Sequence, residues 1–158
     1  MTAISICKLQ VEDIAQYLEV LRSLAEVKTD LKTAKFIYET EIAANPLHHI
    51  FIALANSENY GRKVIASCTL LVEPKLIGSA DRVGHIEDVA VLKEFQGRGI
   101  GIRLVEFVTR YGFEQMKCAK IELDCSISTM PFYEKLGYVY NDVLMKRLKD
   151  QISNSMLL

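Results

Sequence analysis

A short glycine-rich segment carries the strongest chemical signal in the sequence. It reads Gln96-Gly97-Arg98-Gly99-Ile100-Gly101 and lies between a predicted strand and a predicted long helix. Glycines let the backbone approach a ligand closely, and the first turn of a helix offers unpaired N–H groups and the positive end of its dipole. The segment predicts a cradle for a diphosphate, although taken alone it is as typical of a helix start without a ligand. Its spacing is neither that of a Walker loop nor that of the complete dinucleotide fingerprint.

Two adjacent carboxylates, Glu87 and Asp88, lie in the strand that precedes this segment. Neighbouring side chains on a strand point to opposite faces unless a bulge intervenes. One carboxylate can therefore meet an amine while the other holds the backbone or a hydroxyl, and each is alternatively a solvated acid. Cys125, beside Asp124, has the chemistry of an acyl-accepting nucleophile, but no histidine is near it in sequence, which favours a structural thiol.

The elements that position these residues follow from hydrophobic periodicity. Helical spacing predicts helices over 11–24, 33–44, 99–115 and 131–135. Strands are predicted over 4–9, 49–55, 63–73, 84–92, 119–125 and 138–149. A strand, glycine turn, helix and strand in succession make a parallel crossover attached to an antiparallel meander. The pattern predicts an α/β (α+β) fold.

Length and composition narrow the function classes. The 158 residues are half hydrophobic and a quarter charged, so we expect one folded domain over 1–150 and a loosely ordered tail over 151–158. A formal charge of -1 removes the bulk electrostatic reason to expect nucleic-acid or anionic-membrane binding. No apolar run approaches the roughly 20 residues of a membrane span, and the first residues lack the order of a signal peptide. We expect a cytoplasmic location, or at least an intracellular one in which an organelle is not excluded.

The four cysteines predict neither a disulfide framework nor a metal site. Cys7, Cys68, Cys118 and Cys125 form no Cys-x-x-Cys pair and have no histidine at zinc spacing. We expect reduced and mostly buried thiols.

Four segments together resemble the successive motifs of the Gcn5-related N-acetyltransferase (GNAT) superfamily. They are 84–91, 96–101, 123–125 and 131–138, and the resemblance extends over roughly 63–149. Gly-His-Ile-Glu-Asp, Leu-Asp-Cys and Phe-Tyr-Glu-Lys-Leu-Gly-Tyr are most similar to the members that acetylate glucosamine 6-phosphate. The resemblance implies the GNAT fold: a mixed, mostly antiparallel sheet with one parallel strand pair splayed for acetyl-CoA, and about four flanking helices.

The implied activity is transfer of the acetyl group of acetyl-CoA to the amine of glucosamine 6-phosphate, by direct attack in a ternary complex, as a step toward UDP-N-acetylglucosamine. A second hypothesis keeps the enzyme class and changes the acceptor to a polyamine, another small amine or a peptide N-terminus. A third, of another class, is an acyl-CoA sensor without turnover, against which the presence of Glu87, Asp124 and Tyr133 argues. The resemblance also implies a homodimer with exchanged or abutting final strands.

The same resemblance assigns the candidate site. Glu87 contacts the amine or a hydroxyl, Asp124 lies near the amine or thioester, and Tyr133 donates to the leaving thiolate. An N–H near Val89 polarises the thioester carbonyl. The coenzyme-binding set is Val89, Ala90, Val91, Gln96, Gly97, Arg98, Gly99, Ile100, Gly101, Ile102, Thr129 and Tyr133. The acceptor-binding set is Lys75, Glu87, Asp88, Lys120 and Arg147.

Three segments depart from the pattern of the family. Ala25 and Glu26 stand where a threonine usually faces the substrate, so a hydroxyl is lost and a negative charge is added. Thr129 replaces an asparagine that contacts the coenzyme. The basic residue expected on the final strand falls best on Leu148, so Arg147, one residue away, is only a candidate because such an offset reverses the face of a strand.

Overall fold

Runs of apolar residues build one five-stranded mixed sheet in the computed structural model, which describes residues 3–57, 61–78 and 81–146. The strands are β1 (Ala3–Lys8), β2 (His48–Ser57), β3 (Gly61–Pro74), β4 (Arg82–Val91) and β5 (Cys118–Leu123), and they lie in sequence order. Each neighbouring pair from β1 to β4 is antiparallel, whereas β4 and β5 run parallel. The predicted α/β fold with one parallel strand pair is confirmed.

Four α-helices accompany the strands. They are α1 (Ile14–Arg22), α2 (Leu31–Ile37), α3 (Ile100–Glu114) and α4 (Met130–Glu134). The predicted helix over 33–44 begins two residues earlier, because the Asp30 carboxylate accepts a hydrogen bond from the Thr33 N–H at 2.9 Å. It then changes to a π-helical turn, Tyr38–Ile42. The chain divides into a first unit, Met1–Leu123, and a second unit, Asp124–Leu158, so the prediction of one domain over 1–150 stays a prediction.

The core of the first unit lies on both faces of the sheet. On one face, Ile50, Ile52 and Leu54 belong to a buried cluster with Ile14 and Leu18 of α1. On the other face, the Phe51 ring meets the rings of Phe107 and Tyr111 of α3 edge to face, at 5.4 and 4.9 Å.

Two glycines let α3 pack closely on β4 and β5. A Cβ atom added at Gly84 would lie 2.5 Å from Ile121 Cδ1, and one added at Gly112 would lie 2.6 Å from the same atom. The absence of both side chains therefore sets the distance between the helix and the parallel strand pair.

The buried carboxylate of Asp13 ties the start of α1 to the sheet. Asp13 is 1% exposed and forms a two-pronged ion pair with Arg62 of β3, with Nη2 to Oδ2 at 2.9 Å. The Gln16 side-chain oxygen accepts a hydrogen bond from the Val64 N–H at 2.8 Å. These contacts fix α1 across the face on which the candidate acceptor residues lie.

The predicted strand over 138–149 is wrong over 138–146, which have no regular secondary structure. A strand needs a paired neighbour, and no ladder involves this segment within the described part of the chain. Its large apolar side chains are exposed, among them Val139, Tyr140, Val143, Leu144 and Met145. Residues 147–149 and the predicted tail over 151–158 lie outside the described residues, and no described helix has the length and apolar character to cross a bilayer.

Candidate active site

A β-bulge in β4 brings the two adjacent carboxylates into an irregular stretch of backbone. Ser67 of β3 pairs with Ala90 and Thr69 with Glu87, so Asp88 and Val89 together oppose the single residue Cys68. Asp88 has a φ of 50°, a left-handed conformation that a non-glycine residue seldom adopts. The Ser67 hydroxyl donates to the Asp88 carbonyl oxygen at 3.3 Å and holds the bulge. Because of this bulge, the side chains of Glu87 and Asp88 do not follow the strict alternation between the two faces of a regular strand.

The backbone of β4 is open on the side of β5 beyond the bulge. The parallel ladder ends where Ile86 pairs with Leu123, whereas β4 continues to Val91 along β3. Val89, Ala90 and Val91 therefore lie past the end of the parallel pairing, as the splayed strand pair requires. The Gln96 side chain closes part of this edge, because its amide donates to the Val91 carbonyl oxygen at 2.9 Å. An extended ligand can add to such an edge as a further strand would.

The start of α3 offers unpaired N–H groups. Gly97 and Gly99 have φ values of 74° and 72°, and Gly99 is the N-cap with no side-chain hydrogen bond to the helix. The first backbone bond of the helix runs from the Arg103 N–H to the Gly99 carbonyl oxygen at 3.1 Å, which leaves the N–H groups of 100–102 before it. No atom lies within 4 Å of a Cβ built at either glycine. The turn is thus open to a phosphate, and the exposed Arg98 guanidinium lies 5.4 Å from the centre of the Phe95 ring.

Two titratable side chains sense the charge of Asp88: Tyr17 of α1, which is buried, and His48 of β2, which is half-buried. Burial, with a smaller contribution from the Asp88 carboxylate, raises the pKa of Tyr17 to about 12, so the phenol keeps its proton. Burial also lowers the pKa of His48, an effect that the Asp88 charge opposes. Thr69 lies beside Tyr17, and its buried hydroxyl makes no hydrogen bond of ordinary length to the described residues.

The two candidate lysines of the acceptor set are each paired with a glutamate. Lys75 Nζ lies 2.6 Å from Glu73 Oε2, and His85 Nε2 lies 3.2 Å from the same oxygen. These two hydrogen bonds, that of Lys75 first, lower the pKa of Glu73. Lys120 pairs with Glu122, two residues along the exposed part of β5. Glu26, the added negative charge noted in the sequence, is also paired, since its carboxylate lies 3.3 Å from the Lys28 ammonium.

The second unit holds the remaining candidates. Asp124 and Cys125 are exposed, which corrects the expectation of mostly buried thiols at Cys125. The Thr129 hydroxyl donates to the Ser126 carbonyl oxygen at 3.0 Å, so this coenzyme-binding candidate already has a partner in its own turn. The Tyr133 ring on α4 lies edge-on to the rings of Phe132 and Tyr138, with centres 4.9 and 6.1 Å away.

The structure brings Glu87, Asp88, the 89–91 edge and the start of α3 together on β4 and the segment that follows it. That Asp124, Thr129 and Tyr133 share a site with them stays a prediction, and Arg147 lies outside the described residues. Sequence reasoning missed Tyr17, Thr69, Glu73 and Glu122. Tyr17 falls in the apolar stripe of α1 and is indistinguishable there from a core residue, whereas the i, i+2 spacing of Lys120 and Glu122 on a strand did signal a same-face pair. Within residues 3–57, 61–78 and 81–146, no three His, Cys, Asp or Glu side chains are grouped to hold a metal ion.

Comparison with known proteins agrees with this arrangement. The model of the family described as acetyltransferase (GNAT) matches residues 15–138. A glucosamine 6-phosphate N-acetyltransferase of Candida albicans is 37% identical over 125 residues, which are 78% of this chain and 80% of that protein. Glucosamine 6-phosphate N-acetyltransferase 1 of Dictyostelium discoideum is 33% identical over 143 residues, 90% of this chain and 88% of that one. The solved structure of glucosamine-6-phosphate N-acetyltransferase from Arabidopsis thaliana superimposes with a TM-score of 0.83 at 29% identity, and covers 94% of this chain and 99% of its own.

Proposed function

The chain belongs to the acetyltransferase (GNAT) family, and from that membership we propose that it transfers the acetyl group of acetyl-CoA to the amine of glucosamine 6-phosphate. The products are N-acetylglucosamine 6-phosphate and CoA. The observation that carries the proposal is the opening of β4 beyond Ile86, followed directly by the uncapped start of α3. A splayed strand edge next to a helix N-terminus suits one elongated ligand with a peptide-like arm and a diphosphate.

Acetyl-CoA binds mainly through the backbone in this proposal. The amide groups of the pantetheine arm pair with the 89–91 edge, as a strand would. The diphosphate accepts hydrogen bonds from N–H groups of 97–102, with the Arg98 guanidinium adding positive charge nearby. The Cβ-free surface at Gly97 and Gly99 supports this close approach. Gln96, which already donates to Val91, holds the end of the strand edge against the turn.

The acceptor amine lies against the bulge. Carboxylates at Glu87 and Asp88, both exposed to solvent, attract the ammonium form of an amino sugar and take up its proton directly or through water. Glucosamine 6-phosphate is the acceptor named for the relatives from Candida albicans and Dictyostelium discoideum, which is the support for this choice. Lys75 and Lys120 are the cations that we assign to the phosphate.

The chemical step needs no covalent enzyme intermediate. The neutral amine nitrogen bonds to the acetyl carbon and releases its extra proton through Glu87 to water, and the resulting oxyanion accepts a hydrogen bond from the N–H near Val89. The carbon–sulfur bond then breaks, and Tyr133 donates a hydrogen bond to the departing thiolate. Full proton transfer from a phenol of pKa about 10 to a thiolate of pKa about 8.5 costs about 2 kcal/mol in water, so hydrogen-bond donation is the assigned role. Asp124 lies near the amine in this scheme and steers it.

We also propose a homodimer built through segment 138–146, which has no regular secondary structure. Exposed apolar side chains along it, including Val143 and Leu144, have the character of a strand that lacks its neighbour. Pairing with the same segment of a second copy covers them. Sedimentation tests this: a dimer is expected, and Val143→Lys should shift it to monomer.

Thiol release from acetyl-CoA across a panel of amines tests the proposed activity. Glucosamine 6-phosphate should give the highest kcat/KM, ahead of glucosamine, spermidine and a short peptide. Another small amine as the preferred acceptor is the second candidate, and the pairing of both lysines with glutamates is the observation that favours it. Turnover of that amine but not of the sugar phosphate refutes the proposed acceptor. Binding of acetyl-CoA without acetylation of any amine refutes the proposal that the protein is an enzyme.

A further inference from the structure

Five charged or titratable side chains lie on one face of the sheet beside the bulge. In the registers of β3, β4 and β5, Glu73 pairs with Val83 and Val83 with Lys120, while His85 pairs with Glu122. Directly paired residues project on the same face, and so do residues two apart on one strand. The face that carries Glu87 therefore also carries Glu73, His85, Lys120 and Glu122.

Each of the two candidate lysines is already paired with a glutamate. One carboxylate oxygen, Glu73 Oε2, accepts from both Lys75 at 2.6 Å and His85 at 3.2 Å. Lys120 is held by Glu122 on the same strand. The two lysines and the two glutamates together carry no net charge, and Glu87 beside them adds a negative one. A phosphate that comes to the two lysines therefore meets two closed ion pairs rather than free cations.

We propose that Glu73 and Glu122 are specificity-determining residues that weaken the binding of a phosphorylated acceptor by neutralising Lys75 and Lys120. This inference rests on the proposed function, because it assigns the acceptor phosphate to this face. The phosphate has to displace each carboxylate or bind beside it. Either way it loses attraction to an ammonium group or gains repulsion from a carboxylate, and the product leaves the site more easily for the same reason.

The effect is of measurable size. A carboxylate about 6 Å from a phosphate on a half-solvated surface changes its affinity by about threefold to tenfold, and both carboxylates together by more. All four paired side chains are partly exposed, between 35% and 60%, so a glutamine at either glutamate position is compatible with the fold. Glutamine keeps the size of the side chain and one acceptor oxygen, removes the charge and replaces the second oxygen by an NH2 donor.

The test compares Glu73→Gln, Glu122→Gln and the double variant with Glu106→Gln. Glu106 pairs with Arg110 on the exposed face of α3 at 3.5 Å, so this control makes the same change in net charge away from the site. We expect a KM for glucosamine 6-phosphate that is three- to tenfold lower in each single variant and lower still in the double one. The KM values for glucosamine and for acetyl-CoA should stay within twofold of the wild type, as should all values of Glu106→Gln.

Other results distinguish failure of this inference from failure of the proposed function. An unchanged or higher KM for the sugar phosphate in both single variants overturns this inference, because the glutamates then position the lysines instead of masking them. An equal fall in KM for glucosamine overturns it too. Wild-type protein that never acetylates the sugar phosphate refutes the proposed function; inorganic phosphate, titrated while the His85 imidazole is followed by NMR, then decides the inference. Tighter phosphate binding in the double variant supports masking, and equal binding refutes it.

Discussion

Replacement of Gly99 by alanine isolates the contribution of the helix start to coenzyme binding. Gly99 has a φ of 72° and a ψ of 5°, and a Cβ atom there meets no atom within 4 Å, so the substitution causes backbone strain without a clash. An alanine in the left-handed region costs about 1 to 2 kcal/mol. The chain relieves that strain by turning the peptide groups that open α3.

The cost to affinity follows from the N–H groups that move. A hydrogen bond to a charged group contributes about 1.5 to 3 kcal/mol, so misdirecting one N–H weakens acetyl-CoA binding by about tenfold to a hundredfold. Calorimetric titration of Gly99→Ala with acetyl-CoA measures this loss. S-acetylpantetheine, which lacks the diphosphate, should be used as a donor with unchanged kcat/KM.

Gly61→Ala is the matched control. Gly61 has a φ of 63° and equally open surroundings, but it lies at the start of β3. Both variants should lose about 1 kcal/mol of stability, and only Gly99→Ala should lose affinity for acetyl-CoA. Equal affinities for acetyl-CoA in wild type and Gly99→Ala, or an equal loss in Gly61→Ala, would refute the assignment of the diphosphate to this turn.

Three further predictions concern stability, pH and the leaving group. Arg62→Met leaves the 1% exposed carboxylate of Asp13 without its partner, so the free energy of unfolding in urea should fall by about 3 kcal/mol. Adding Asp13→Asn should recover most of that loss, and a loss below about 1 kcal/mol would contradict the role of the pair. Burial lowers the pKa of His49 to about 4, so the unfolded chain takes up a proton between about pH 6.5 and pH 4 that the folded chain refuses. Stability should therefore fall by about 3 kcal/mol as the pH drops through that window. His49→Phe, which keeps a ring against Tyr111, should flatten the fall, and identical pH profiles would count against this account. Tyr133→Phe should lower kcat by about tenfold to a hundredfold with little change in either KM, while Tyr140→Phe, at an exposed tyrosine of the same unit, should leave kcat unchanged; equal kcat values in Tyr133→Phe and wild type would remove the leaving-group role.

The glycine turn shows which features sequence reasoning reaches. The order of strand, glycine turn, helix and strand over 84–125 followed from periodicity and glycine placement, because both are local properties of the chain. The bulge did not follow, since a period of two cannot reveal one extra residue on β4. The sequence around Asp88 does not indicate its left-handed conformation. That conformation comes from the bulge, whose position is set by the pairing of β4 with β3.

Interactions between distant residues were beyond reach for the same reason. The pairing of Glu73 with His85 depends on the register of β3 and β4, and that of Asp13 with Arg62 joins α1 to β3. The strand predicted over 138–149 failed in its described part because alternation of apolar residues indicates a tendency to pair, and pairing also needs a neighbour. Identity of the acceptor came from the resemblance of motifs rather than from periodicity or charge.

Backbone amide shifts on titration with CoA test the central claim most directly. In ¹⁵N-labelled protein, saturating CoA should shift the N–H signals of 97–102 and 88–91 most, with exposed amides of α2 unchanged as the internal reference. The account predicts a single saturable transition common to both segments. Shifts that are absent from both segments while CoA binds, or that cluster elsewhere in the sheet, would contradict it.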